Sequence, residues 1–97
     1  FHEVVARGAQ PVTHRADSRA IDAPVIKGIG DCMLYLVTDG SDPYVDFEFF
    51  GDPNPRGFGL TFIDHLTHNV YFGNMGQWAD YYARLFGFRE IRYFDIK

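Results

Sequence analysis

A chain of 97 residues is long enough for one small domain and too short for two complete ones. With 46% hydrophobic and 18% aromatic residues it carries the apolar surface a core needs, which excludes a disordered tail. The net charge of −4 scatters 9 basic among 13 acidic side chains, so no basic stripe exists to neutralise phosphates, and nucleic acid is not an expected partner.

Phe1, Val4 and Val5 stand at i, i+3 and i+4, and Gly8 follows where a helix end wants positive φ, so 1–7 read as the last turns of an amphipathic helix. A short strand is expected over 10–14, then a polar loop over 15–23 that leads through Pro24 into Val25, Ile26 and a turn at Gly28-Ile29-Gly30. Two strands follow, the apolar run Cys32–Val37 and the alternating Tyr44–Phe50, joined by a turn over 38–43. Residues 51–59 hold three Gly and two Pro, a composition that suits neither a helix nor a central strand, and mark a boundary. Beyond it, 60–72 read as a long strand and 89–96 as another. Between them, Met75, Trp78, Ala79, Tyr82, Leu85 and Phe86 fall on one face of a helix that Gly87 ends. The order suggests an α+β chain with a repeated strand-helix-strand theme. It opens at Phe1 and stops at Lys97 inside a strand-like run, so the sequence reads as a piece cut at both ends.

The single cysteine, Cys32, cannot close an intrachain disulfide, and no Asn-x-Ser/Thr sequon is present, so a cytoplasmic protein is expected. In an apolar strand without a basic neighbour, Cys32 is expected to be a buried, inert thiol. No apolar stretch approaches the roughly 18 residues of a membrane span, and membrane insertion is not expected. Gly28-Ile29-Gly30 lacks the third glycine of a dinucleotide fingerprint and reads as a turn.

Four histidines occur, and His65 and His68 lie in the densest context, Ile63-Asp64-His65-Leu66-Thr67-His68-Asn69-Val70. In a strand, side chains three apart point to opposite faces, so these two cannot share one metal. Thr61, His65, Thr67 and Asn69 fall on one face as a polar row, with Leu66, His68 and Val70 on the other. From the residues alone, His65 is either a simply hydrogen-bonded histidine or a member of a buried polar site. Asp64 reads as a surface carboxylate or a contact to nearby backbone, and no residue is singled out as catalytic.

The stretch Ile63–Val70, followed by Trp78-Ala79-Asp80-Tyr81-Tyr82 and the run from Leu85 to Lys97, resembles the 4-hydroxyphenylpyruvate dioxygenase family in its bacterial form. The likeness is most specific over 60–97 and weaker over Val25–Gly30 and Leu34–Leu36. It implies the vicinal-oxygen-chelate fold, in which βαβββ modules pair into open barrels, here incomplete at both ends. Residues 1–50 would end an N-terminal non-catalytic domain, 51–59 would be the linker, and 60–97 would begin an iron-binding domain. By the same resemblance His65 is the first ligand of a 2-His-1-carboxylate facial triad for Fe(II), with Thr67 and Asn69 lining the substrate pocket. The second His and the Glu would lie beyond Lys97. The implied reaction converts 4-hydroxyphenylpyruvate and O2 to homogentisate and CO2 in tyrosine catabolism, in a homo-oligomeric complete protein. The sister hydroxymandelate synthase shares substrate and metal, and the chain alone is expected to act only as a structural or binding piece without turnover.

Overall fold

A computed structural model describes residues 1–13, 22–45, 47–52 and 54–94. Four regular elements occur among them: α1 (His2–Ala6), β1 (Val25–Lys27), β2 (Met33–Tyr35) and α2 (Met75–Phe86).

α1 ends where the sequence places its stop. Gly8 takes φ +97°, and the amides of Gly8 and Ala9 donate to Val5 O and Val4 O at 2.9 Å each, so the last carbonyls are satisfied. Glu3 and Arg7, one turn apart, pair on its outer face.

β1 and β2 form an antiparallel hairpin with Val25 opposite Tyr35, Ile26 opposite Leu34 and Lys27 opposite Met33. The turn between them explains its own sequence. Gly30 and Asp31 have φ of +43° and +41°, the Cys32 amide donates to Ile29 O at 3.0 Å, and positive φ at both central residues is what a right-twisted hairpin requires. Gly28 is needed for space, since a Cβ there would lie 2.9 Å from Leu34 Cγ. On the other side of β1, Val12 donates to Val25 O and Lys27 to Gln10 O, with Pro11 bridged to Ile26. The strand expected over 10–14 is thus a single bridge, and its last residue lies outside the described ones.

Pairing differs from expectation. Residues 32–37 pair backwards with β1, not forwards with 44–50. The turn over 38–41 does form, closed by Ser41 N to Thr38 O at 2.8 Å. Among the described residues of 44–50, however, there is no strand; Tyr44 folds edge-on to Phe47 and Phe49 instead, at 6.0 and 6.2 Å. Asp46 lies outside the described residues. The expected strands over 60–72 and 89–96 are likewise absent among the described residues, of which 95–96 are not part. The physical reason is common to all three. A strand exists only through a neighbour's ladder, and these backbones meet none among the described residues; Leu60, for example, is 95% exposed.

α2 does form as the sequence predicts, ended by Gly87 at φ +70° with its amide on Ala83 O at 2.9 Å. Its inner face is shifted from expectation: Leu85 is buried, Trp78, Tyr81, Tyr82 and Phe86 are half-buried, and Met75 and Ala79 are exposed. Leu85 (1% exposed) meets Ile26 (0%) and Ala9 in one small core, with Val4, Leu34, Leu36, Tyr81 and Phe86 around it. Two polar contacts fasten the same junction. The Arg7 guanidinium donates to Leu85 O at 3.2 Å, a cation on a helix C-terminal carbonyl. The Tyr81 hydroxyl donates to Lys27 O. Helix α2, which follows the Gly/Pro-rich stretch, therefore packs on the hairpin and α1 that precede it. The described residues of 51–59 are exposed and form neither helix nor strand. Cys32, expected buried, is exposed because it closes the hairpin turn and precedes β2. No helix among the described residues is long and apolar enough to cross a membrane.

Candidate functional site

The segment 63–70 runs toward the start of α2 without regular pairing, and its side chains are placed accordingly. The polar row Thr61, His65, Thr67 and Asn69, expected to be buried, is exposed throughout. Burial of such a row needs a second layer over it, and none is present among the described residues.

His65 nevertheless has a defined arrangement. Its Nδ1 lies 2.6 Å from Asp64 Oδ2, with both side chains largely open to solvent at 73% and 83% exposure. Strand alternation would have put these neighbours on opposite faces; the irregular backbone lets them meet. A carboxylate at that distance accepts, so Nδ1 carries the proton, which in the neutral form of the ring leaves the lone pair on Nε2. Carboxylate–imidazole pairs of this kind orient metal-binding histidines. An exposed pair adds little stability, so its consequence is orientation.

His68 has a different partner. Its ring stacks on Tyr82 of α2 with centroids 6.4 Å apart and planes inclined by 28°. Tyr82 in turn stacks on Phe86 at 6.0 Å and on Phe88 at 5.9 Å, and the latter two meet at 5.7 Å.

Asn69 lines an open groove of about 570 Å³ with Ile29, Gly30, Val70, Asn74 and Trp78, which brings it against the hairpin turn. Thr67 and His65 do not reach that groove. A second groove of about 630 Å³ separates the hairpin from α2 and is lined by Lys27, Asp31, Gln77, Tyr81 and Arg84 among others. The sequence gives no sign of it, because Tyr81 lies off the apolar face read for the helix. Burial pushes the Tyr81 phenol above its ordinary value, neighbouring Tyr82 adds to the effect, and Arg84, 5.9 Å over the ring, opposes it.

Among the described residues no three His, Cys, Asp or Glu side chains come together as a metal-holding group. His65 offers one nitrogen donor of a kind that suits Fe(II), already oriented by a carboxylate, and any centre built on it needs further ligands.

Residues 1–50 match the family model described as hydroxyphenylpyruvate dioxygenase, N-terminal. Over 103 residues the chain is 52% identical to the 4-hydroxyphenylpyruvate dioxygenase of Pseudomonas sp. (strain P.J. 874), covering 100% of this chain and 29% of that protein. The Pseudomonas aeruginosa 4-hydroxyphenylpyruvate dioxygenase is 46% identical over 97 residues, covering 95% of this chain and 27% of its own length. Protein MelA of Shewanella colwelliana is 41% identical over 102 residues, covering 100% and 29%. The chain thus spans less than a third of the length of these relatives.

Proposed function

The chain belongs to the hydroxyphenylpyruvate dioxygenase family, and we propose from this that it is part of an Fe(II)-dependent enzyme converting 4-hydroxyphenylpyruvate and O2 to homogentisate and CO2 in tyrosine catabolism. The observation that carries the proposal is the 52% identity to a 4-hydroxyphenylpyruvate dioxygenase along the entire chain. On this view 1–50 end a non-catalytic domain of the vicinal-oxygen-chelate type, 51–59 link, and 60–97 begin the iron-binding domain, each built of βαβββ modules.

Within that scheme His65 binds iron through Nε2, while Asp64 holds the proton on Nδ1 and so fixes the tautomer that can ligate; the 2.6 Å contact supports this division of labour. A second histidine and a glutamate from outside these residues complete the facial triad. Iron so held supplies chelation of the 2-oxoacid and activation of dioxygen. Thr67 and Asn69, two and four positions beyond His65, line the substrate pocket. The complete protein is a cytoplasmic homo-oligomer with neither membrane nor nucleic acid among its partners; the net charge of −4 on these 97 residues is in keeping with the last of these.

The test uses the full-length protein. With Fe(II) and 4-hydroxyphenylpyruvate it takes up O2 and forms homogentisate, His65→Ala abolishes iron retention by metal analysis, and His68→Ala leaves iron bound. Hydroxymandelate as product would assign the sister activity, and full iron content in His65→Ala would remove His65 from the ligand set. The 97 residues alone, with one ligand, show no O2 uptake.

A further inference from the structure

Every side chain from Leu60 to Asn69 is exposed, and only Val70 at the end of the segment is half-buried, so burial does not hold the part that carries His65. Among the described residues, one ring contact joins this segment to α2, the stack of His68 on Tyr82. Tyr82 is itself fixed from several sides, by Phe86 and Phe88 at 6.0 and 5.9 Å and by the edge of Tyr81 at 5.7 Å. Tyr81 and Phe86 both pack against the Leu85–Ile26 core. A continuous series of contacts therefore runs from that core through Tyr82 to His68, three residues from His65.

We propose that His68 is a positioning residue, whose stack on Tyr82 sets the register of the 63–70 segment over α2 and so fixes where His65 presents Nε2. This rests on His65 being an iron ligand. Offset-stacked rings at centroid separations within about 4.5–7 Å attract one another, and the contact needs only a flat ring at position 68. A metal ligand or a proton carrier there would need the imidazole nitrogens. Outer-shell groups that orient metal ligands commonly change affinity about 10- to 100-fold when removed; a single exposed stack belongs at the low end.

The experiment measures Fe(II) dissociation constants and KM and kcat of the full-length protein for wild type, His68→Ala, His68→Phe, Tyr82→Leu, Tyr82→Phe and the double variant His68→Ala/Tyr82→Leu. Iron stays bound in His68→Ala, as a non-ligand position requires, but with a dissociation constant about tenfold higher, while His68→Phe and Tyr82→Phe stay within about twofold of wild type. Tyr82→Leu matches His68→Ala, and the double variant is no weaker than either single one, because both remove the same contact. Equal losses in His68→Phe and His68→Ala would mean that the nitrogens matter, which overturns the proposal. So would an unchanged iron affinity in His68→Ala, or additive losses in the double variant. His65→Ala, measured alongside, separates the two levels. If it retains iron, the ligand assignment fails and positioning falls with it; if it loses iron while the His68 variants behave alike, only positioning fails.

Discussion

Leu85→Ala tests whether one core joins the two sides of the Gly/Pro-rich stretch. Leu85 is 1% exposed and meets Ile26 and Ala9, with Val4, Leu34, Leu36, Tyr81 and Phe86 close by. The substitution removes three carbons, about 2.4 kcal/mol of transfer free energy at ~0.8 kcal/mol per methylene. The vacated space adds a cavity contribution. Several surrounding side chains are only half-buried and can collapse inward, so the total is set near the lower part of the usual range, about 3 kcal/mol. Urea unfolding followed by the fluorescence of Trp78, the single tryptophan of these 97 residues, reads this directly. With a denaturant slope of about 1.5 kcal/mol per molar, the midpoint falls by about 2 M. Leu66→Ala, at an exposed position, is the control and leaves the midpoint within about 0.3 M. A shift below about 0.5 M for Leu85→Ala, or one equalled by the control, would refute the assignment of a shared core.

Gly28→Ala places a methyl group 2.9 Å from Leu34 Cγ and 3.2 Å from its Cδ1, and is expected to cost about 1–3 kcal/mol by overpacking. Gly40→Ala, facing open space, shows no comparable fall in Tm. Tyr81→Phe removes the donor to Lys27 O and lowers stability at neutral pH by about 1 kcal/mol. Because burial raises the Tyr81 phenol above its unfolded value near 10, its contribution is intact below that pH and is lost as pH rises through the folded value. The gap between wild type and Tyr81→Phe should therefore narrow above pH 10 in alkaline unfolding; a gap that stays constant would remove Tyr81 as the titrating group.

Local signals were legible in the sequence, and non-local ones were not. Helix α2 could be read because both its periodicity, through Trp78, Tyr82, Leu85 and Phe86, and its glycine stop lie within the segment itself. Even there, which flank turned inward depended on the hairpin, so Tyr81 replaced Met75 in the buried face. The glycines at 28 and 30 could be read as a turn, yet β1 was missed, because three residues between Pro24 and Gly28 carry no periodicity and become a strand only by meeting Met33–Tyr35. The reverse error occurred at 44–50 and 60–72, where alternation describes which faces a strand would have but says nothing of whether a neighbour is there. His65 stands out in the residues themselves and its reading as an iron ligand comes from the resemblance, whereas its contact with Asp64 could not be foreseen, since strand alternation forbids it. The stack of His68 on Tyr82 joins two segments with no shared pattern and arises only when the chain folds back on α2.

The order in which the core is made also matters during synthesis. β1 and β2 are complete once Tyr35 has been added, but the side chain that seals Ile26 is Leu85. At roughly 5–20 residues per second, the intervening stretch from Leu36 to Phe86 takes on the order of 3–10 s to synthesise. Throughout that interval only Ala9 and Val4, from the segment before the hairpin, are available to cover its apolar side. Any factor that binds apolar nascent chain competes with α2 for that surface, and slower translation between residues 37 and 84 lengthens the competition. A ribosome that stalls before codon 85 leaves a hairpin that cannot close its core.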